Sequence, residues 1–299
     1  MTVRAPAGDI AINDQEVVIG RGICSITGSR FLYYNLEIKK LNNYWRKFSS
    51  GSTFESINSN DIKNSDIAIP YEAEQEKIGN LFKNIDQLIK NQEALVEETK
   101  NFKKSMLQKM FPKKESLVPE IRFDSFSRNW KELILENISN QYDSLSKPIK
   151  ENLRIKGIYP YYGATGIQDY VEEYIFDGEY ILIAEDGASD IDNYPINYVK
   201  DKFWVNNHAH VIKANLENNT LFLNYAFNIV NFNKYLVGGT RKKLNASSLS
   251  KIELKIPSLE EQEKIGKFFK NLDEKIKKEQ DLLDKYKDMK KSLLQKMFI

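Results

Sequence analysis

Residues 69–112 read IPYEAEQEKIGNLFKNIDQLIKNQEALVEETKNFKKSMLQKMFP, and residues 256–299 read IPSLEEQEKIGKFFKNLDEKIKKEQDLLDKYKDMKKSLLQKMFI. When the two stretches are aligned without a gap at an offset of 187 residues, 24 of the 44 positions are identical. A repeat at a fixed offset indicates a chain built from copies of one structural unit. We therefore expect two modules, each a globular part followed by one of the quoted segments.

Both quoted segments are predicted to be long helices, because apolar residues recur in heptad steps over more than three heptads, with polar breaks in the middle. The expected seam of the first comprises Ile78, Leu81, Ile85, Leu88, Gln92, Leu95, Thr99, Phe102 and Met106. The expected seam of the second comprises Ile265, Phe268, Leu272, Lys275, Glu279, Leu282, Tyr286, Met289 and Leu293. Since one such helix cannot bury its own apolar stripe, helices over 71–111 and 258–298 should pack as an antiparallel coiled coil, with Ile85 and Leu272 buried.

The globular parts have a mixed composition of strands and helices, so the expected fold class is α+β. In the second part, strands are predicted over Tyr180–Ala184, Phe203–Val205 and Ala209–Ile212, and a helix over Thr220–Val237, opened by a capping Thr220. In the first part, strands over Glu16–Ile19 and Ile23–Thr27 and a helix over Phe31–Phe48 mirror them.

The two modules differ in extent, because Met1 aligns with Ala188 at the same offset and residues 113–187 have no upstream counterpart. The predicted organisation is a C-terminal remnant of a first domain over 1–68, a helix over 69–112, a complete second domain over 113–255 and a helix over 256–299.

Composition excludes several classes of protein. Apolar residues make up 41% and charged residues 29%, as in a folded domain, and the net charge of +2 argues against a uniformly basic nucleic-acid coat. The single cysteine, Cys24, excludes a disulfide framework and a cysteine-based zinc site. No apolar run approaches the roughly 18 residues that span a membrane, and the N-terminus has no signal-peptide pattern. A soluble cytoplasmic protein without a membrane partner is expected.

Motifs for catalysis are missing from the sequence. It contains no G-x-x-x-x-G-K-[ST] phosphate loop and no Asn/Asp-Pro-Pro-Tyr tetrad of the adenine methyltransferase type. His208 and His210 lie two residues apart on a predicted strand and face one side of it. Structural hydrogen bonding, contact with a polyanion and, least favoured, metal binding remain open for them. We expect no enzymatic activity, no bound metal and no cofactor in this chain.

Three short segments have side chains suited to nucleic acid. A glycine turn presents cations for phosphate oxygens at 240–243, although an ordinary exposed loop is the alternative. Aromatic residues join glycines at 161–166, with a following glutamine that could read adenine, although a packed aromatic turn is equally plausible. The third is the turn at 206–208, where asparagine also simply favours turns. The candidate DNA contacts are Tyr161, Tyr162, Thr165, Gln168, Asn207, His208, His210, Thr240, Arg241, Lys242 and Lys243.

The sequence closely resembles the specificity subunit of type I restriction–modification enzymes. Besides the paired helices, the likeness rests on Pro119-Glu120-Ile121-Arg122-Phe123 with Trp130, on Tyr161-Tyr162-Gly163-Ala164-Thr165-Gly166, on Glu185-Asp186-Gly187 and on Asn206-Asn207-His208-Ala209-His210. The resemblance implies a non-catalytic subunit whose two target-recognition domains each read half of a bipartite site in double-stranded DNA, held apart by the helices.

The same resemblance implies partners. The helices would dock modification (methyltransferase) subunits, restriction subunits would join them, and S-adenosylmethionine, ATP and Mg²⁺ would belong to those partners. The chain departs from the family in having one complete recognition domain. The alternative function is therefore a coiled-coil scaffold, or an inactive fragment, that assembles modification subunits without reading DNA.

Overall fold

The computed structural model describes residues 1–48, 56–186, 193–239 and 242–298. The chain divides into two compact units. The first unit comprises Met1–Glu98 and Ile276–Ile299, and the second comprises Thr99–Lys275. The boundaries between them fall inside the two long helices, so both helices contribute to both units.

The described residues form seven α-helices and ten strands. The helices are α1 (Arg30–Leu41), α2 (Ser59–Lys63), α3 (Glu72–Met110), α4 (Leu135–Ile138), α5 (Thr220–Phe227), α6 (Ala246–Ser250) and α7 (Leu259–Met297). The strands are β1 (Lys131–Ile134), β2 (Ser139–Gln141), β3 (Lys156–Gly163), β4 (Gly166–Val171), β5 (Phe176–Asp177), β6 (Tyr180–Ala184), β7 (Ile196–Val199), β8 (Lys202–Val205), β9 (Ala209–Ala214) and β10 (Glu253–Ile256). This content confirms the α+β class. None of the helices that can be described here is both long and apolar enough to cross a membrane.

Helices α3 and α7 have 39 residues each and begin and end within about a residue of their predicted bounds. Inside the first unit they run antiparallel. The Gln92 side chain donates to the Glu279 carbonyl at 3.0 Å, and Lys290 pairs with Asp86 at 2.7 Å. Residue numbers of the paired positions therefore rise along α7 as they fall along α3, which defines an antiparallel pair. Inside the second unit, Lys103 pairs with Asp273, and Phe111, just past the end of α3, contacts Phe269 of α7. The helices are therefore antiparallel there as well, as predicted.

Each predicted seam is only partly buried, and Leu272, which was expected to be buried, is half-buried. Ile78, Ile85, Gln92 and Thr99 are less than 9% exposed, as predicted. Leu81, Leu88, Leu95 and Phe102 were expected to alternate with them, but they are 40–49% exposed. The neighbouring Phe82 and Val96 are buried instead. The same displacement by one residue occurs in α7, where Leu282 is exposed and Leu283 is buried.

The reason for this displacement is that each long helix also packs against a shorter helix of its own unit. Phe82 contacts Tyr34 of α1 with ring centroids 5.0 Å apart. Its repeat equivalent, Phe269, contacts Tyr225 of α5 at 5.2 Å. The buried stripe therefore turns away from a strict two-helix seam toward the globular helix. A heptad pattern read from the sequence assumes a single partner and so misplaces half of the positions.

The second unit contains three sheets. Strands β2-β9-β6-β7 form an antiparallel sheet, and β4-β3-β8-β5 form a mixed sheet in which β3 and β8 are parallel. Strands β1 and β10 pair separately. Strand β6 has its predicted bounds, whereas β8 is one residue longer and β9 two residues longer than predicted. The main core lies between the antiparallel sheet, α5, β10 and α7, and includes Trp130, Ile183, Phe222 and Phe269.

The predicted long helices of the globular parts were wrong in length. Helix α5 ends at Phe227, and only a 3₁₀ turn over Phe232–Lys234 follows. Its cap is Asn219, whose side chain accepts from Phe222 N, while the Thr220 hydroxyl accepts from Ala214 N at 3.2 Å. Helix α1 ends at Leu41, because Asn43 adopts a left-handed conformation with φ 54°.

The strands predicted at 16–19 and 23–27 do not form. Among the described residues of the first unit, this segment makes only an isolated bridge between Thr2 and Ile23. The equivalents in the second unit, β8 and β9, are held by β3, β5, β2 and β6. No described strand of the first unit offers such pairing, so Val17 and Val18 remain 55% and 103% exposed.

Candidate nucleic-acid interface

Strands β3 and β8 bring two of the predicted segments to one edge of the mixed sheet. Because the strands are parallel, with Tyr162 opposite Val205, their carboxyl ends lie side by side. The hairpin turn after β3 and the turn after β8 therefore meet. The backbone N–H of Asn206 donates to the Tyr162 carbonyl at 3.0 Å and joins them directly.

Asn206 connects the candidate side chains at this edge. Its side chain is 4% exposed. Its Oδ1 accepts from the His208 backbone N–H at 2.9 Å, and its Nδ2 donates to Gln168 Oε1 at 3.3 Å. The side chains of Gln168, Asn207 and His208 are exposed around it. The buried amide thus ties one exposed polar residue of β4 to the turn after β8.

The hairpin turn between β3 and β4 is built on two glycines. Gly163 pairs with Gly166, which has φ 134°, a conformation that side chains other than glycine rarely adopt. Thr165 is exposed at the tip. The Gln168 carboxamide lies against Gly163, where an added Cβ would come within 2.1 Å of Nε2. The predicted Thr165 and Gln168 are therefore both exposed at this hairpin.

Tyr161 and Tyr162 are oriented differently from these residues. Tyr161 is 1% exposed, its hydroxyl accepts from Ile149 N at 3.0 Å, and the Arg154 guanidinium lies 4.4 Å from its ring centroid. Tyr161 therefore packs inside the domain, which corresponds to the packed-turn alternative. Tyr162 is half-buried and packs edge-on against Phe203 at 5.9 Å.

His210 is also inside the fold. Its Nδ1 lies 2.6 Å from an Asp143 carboxylate oxygen, and its Nε2 lies 2.6 Å from the Leu244 carbonyl oxygen. A backbone carbonyl and an ionised carboxylate both accept hydrogen bonds, so this geometry favours a proton on each ring nitrogen. Burial alone would lower the pKa of His210, but the hydrogen bond and charge of Asp143 outweigh burial and raise the pKa. His210 serves structural hydrogen bonding here, and neither nitrogen is left for a ligand.

Asp186 pairs with two of the candidate DNA-contacting side chains at the same edge. Its carboxylate lies 3.1 Å from His208 Nδ1 and 3.1 Å from Lys243 Nζ. Burial would raise the pKa of Asp186, but the hydrogen bonds from Lys243 and His208 lower it overall. Leu244 N donates to the Glu185 carbonyl at 2.8 Å and fastens the end of the basic turn beside β6. His208 and Lys243 are therefore neighbours, 35 positions apart in the sequence.

The basic turn is described only in part. Thr240 and Arg241 lie outside the described residues. Lys242 is exposed, and its Nζ donates to Asn233 Oδ1 at 2.7 Å. Lys243, half exposed, is paired with Asp186 as above. Both described lysines thus have a protein partner while remaining open to solvent.

Sequence reasoning missed two residues at this edge. Asn206 belonged to the predicted turn at 206–208, but Asn207 was chosen there as the candidate contact, and the capping role of an asparagine in a tight turn was not assigned to Asn206. Lys147 is exposed, and its backbone N–H donates to the Val205 carbonyl at 3.2 Å while its own carbonyl accepts from Trp204 Nε1 at 2.6 Å. No sequence pattern marks Lys147, because long-range hydrogen bonds alone place it beside β8.

The described residues contain no candidate metal site, because no group of three or more His, Cys, Asp or Glu side chains among them could hold an ion. The histidines instead have carboxylate and carbonyl partners. The arrangement at the edge offers hydrogen-bond donors and acceptors and cations on a glycine-lined surface.

Comparison with known proteins gives consistent findings. A putative type I restriction enzyme specificity subunit of Haemophilus influenzae is 43% identical over 138 residues, which cover 46% of this chain and 35% of that protein. A type I restriction enzyme specificity subunit of Methanocaldococcus jannaschii is 24% identical over 99% of this chain and 76% of its own length. The chain thus spans about a third of the first relative and three quarters of the second.

The fold has a solved counterpart. A crystal structure of a type I restriction–modification S subunit from M. genitalium superposes with a TM-score of 0.66, at 22% sequence identity. The superposed region covers 90% of the present chain and 72% of the M. genitalium chain. The family model for the type I restriction modification DNA specificity domain matches residues 1–100 and 127–285. With most of its length matched by that model, the chain belongs to the family of type I restriction–modification DNA specificity proteins.

Proposed function

We propose that the chain is a DNA sequence-recognition subunit that directs type I adenine methylation and restriction and is itself non-catalytic. The observation that carries the proposal is the convergence of Gln168, Asn207, His208 and Lys243 at the carboxyl edge of β3 and β8. Amides read base edges and cations contact phosphates, so the edge combines the two kinds of contact that specific recognition requires. Its ligand is double-stranded DNA.

The partners in this proposal are modification subunits and restriction subunits, and S-adenosylmethionine, ATP and Mg²⁺ are cofactors of those partners. Support comes from an apolar row on α3. Leu81, Leu88 and Leu95 lie seven residues apart and are 40–46% exposed. Such a row on a helix fits packing against a partner helix. We assign it to docking of a modification subunit.

Binding to duplexes at several salt concentrations tests DNA recognition by the chain assembled with its modification subunit. The Lys242→Ala/Lys243→Ala variant should bind all sequences more weakly. The slope of the logarithm of the binding constant against the logarithm of the salt concentration should become less steep by about 0.9 for each phosphate that the turn no longer neutralises. The control is Lys131→Ala/Lys251→Ala, which removes the same charge near the two-stranded sheet of β1 and β10 and should keep the full slope.

Two outcomes would contradict the proposal. Equal slopes for the two variants would mean that the basic turn is ordinary surface. Equal binding of cognate and scrambled duplexes by the unmodified complex would favour the scaffold that assembles modification subunits without reading DNA.

A further inference from the structure

The orientation of the Asn206 amide is fixed by a backbone group. The His208 N–H can only donate, and it lies 2.9 Å from Asn206 Oδ1. The other pole of the amide, Nδ2, must therefore be the one that faces Gln168. Because Nδ2 can only donate, the Gln168 atom that it meets at 3.3 Å must be the acceptor, Oε1. One backbone donor thus determines the orientation of two side-chain amides in series.

The consequence concerns the free end of Gln168. Asn206 occupies its Oε1, while Nε2 has no hydrogen-bond partner among the described residues and carries two N–H groups. Gln168 is exposed, whereas Asn206 is 4% exposed. Asn206 thus uses one of the two acceptor sites of Oε1, and the group of Gln168 that has no described partner is a double donor. This differs from the adenine contact expected from the sequence, in which the amide oxygen and nitrogen act together.

The position of Gln168 has a second determinant. Its carboxamide lies on Gly163, and a Cβ at that position would come within 2.1 Å of Nε2 and 2.4 Å of Cδ. Gly163 is needed for this contact and not for its backbone conformation, since its φ is not positive. An alanine there would displace the amide without straining the main chain.

We propose that Gln168 selects a base whose major-groove edge carries two acceptors, and that Asn206 is the positioning residue that enforces this choice without touching DNA. Guanine presents O6 and N7 side by side and matches the two N–H groups of Nε2. The inference rests on the proposed function, because it requires this edge to face DNA.

The experiment is selection of bound duplexes from a randomised pool by the full chain assembled with its modification subunit. The unmodified chain should prefer guanine at one position, and Gln168→Ala should lose that preference about tenfold. Asn206→Asp keeps an acceptor for the His208 N–H but removes the donor to Gln168. The Gln168 amide should then rotate, donate to the new carboxylate and present Oε1. The preferred base should change to adenine or cytosine, whose exocyclic amino groups donate.

Asn207→Asp is the matched control, because it adds the same charge one residue away on an exposed side chain. It should leave unchanged the base preferred at the position that Gln168→Ala identifies, even if it alters the preference at a position that Asn207 itself contacts. Gly163→Ala is a second, independent variant, which should abolish the preference at that position while the melting temperature stays within a few degrees. Gly163→Ala also tests the inference if the Asn206→Asp protein does not fold.

Each result decides between two statements. A preference that survives Gln168→Ala, or one that Asn206→Asp and Gly163→Ala leave unchanged, overturns this inference while the proposed function stands. The same base change in Asn207→Asp would assign the effect to charge and would overturn it as well. Failure of the unmodified chain to select any sequence would contradict the proposed function itself.

Discussion

His210 shows how one buried residue can connect separate parts of a domain. Its ring joins β9 to the turn at Asp143 and to the segment that ends the basic turn at Leu244. The imidazolium is stable there because Asp143 supplies a full negative charge, with Glu185 adding a weaker one. The cation therefore belongs to the folded state.

The stability of the chain should accordingly depend on pH near neutrality. The pKa of His210 is raised in the folded protein, so its contribution is fully present below the unfolded value of about 6.5. The contribution is lost as the pH rises through the folded pKa. Chemical denaturation between pH 6 and 9 should show a fall in unfolding free energy that His210→Gln lacks. Parallel curves for the two proteins would disprove the role of the charge.

At the scale of the element, the long helices separate a buried face from an exposed apolar row. Ile85 and Leu88 both belonged to the predicted seam, yet Ile85 is 4% exposed and Leu88 is 46% exposed. Both lie in the part of α3 that belongs to the first unit. They therefore form a matched pair for separating folding from partner binding.

Ile85→Asp should lower the unfolding free energy by several kcal/mol, since it buries an unpaired charge. Leu88→Asp should change it by less than about 0.5 kcal/mol, because the new carboxylate stays in water. In copurification, Leu88→Asp should nevertheless lose the modification subunit. If Leu88→Asp were as unstable as Ile85→Asp, Leu88 would be buried, as the heptad pattern predicted. If Leu88→Asp still bound the modification subunit, the row of Leu81, Leu88 and Leu95 would not be the docking surface.

These elements also show how far the sequence could lead. Helix ends depend on local signals such as Pro70 and Pro257, so their bounds were predictable. The seam was half misplaced because α1 and α5 compete for the same faces. The contact between Asn206 and Gln168 was not predictable, since it joins residues 38 positions apart through the pairing of β3 with β8. The predicted strands at 16–19 and 23–27 failed because strands require partners and composition alone does not supply them.

At the scale of the whole molecule, the repeat reappears as two equivalent polar clusters, one in each unit. In the first, Tyr34 donates to Asp86 at 2.7 Å, and Lys290 pairs with that carboxylate. In the second, Tyr225 donates to Asp273 at 2.7 Å, and Lys103 pairs with it. The aspartates and lysines are related by the 187-residue offset, whereas Tyr225 lies four residues beyond the equivalent of Tyr34. The clusters fasten α1 and α5 to the helix pair with a shift of about one helical turn.

Disruption of each cluster should act on its own unit. Asp86→Asn should reduce the protection of α1 amides from hydrogen exchange and leave α5 unchanged, and Asp273→Asn should do the reverse. The reason is that each substitution removes a charge that pairs with one tyrosine and one lysine. Because Glu37 of α1 also pairs with Lys290, at 2.6 Å, the loss in the first unit should be the smaller one. Loss of protection in both helices from either substitution would show that the two clusters do not act independently.

The contact between Gln92 and Glu279 affects which helix each copy of the repeated helix pairs with. The two residues occupy the same position of the repeat, so the side chain at this layer meets its own counterpart from the other copy. If α7 paired with α7 of another molecule, two buried glutamates would face each other, and like charges at such a layer oppose association. Pairing α3 with α7 replaces that repulsion with an amide hydrogen bond. The divergence of a single position after duplication thus favours pairing of α3 with α7 over pairing of two α7 helices.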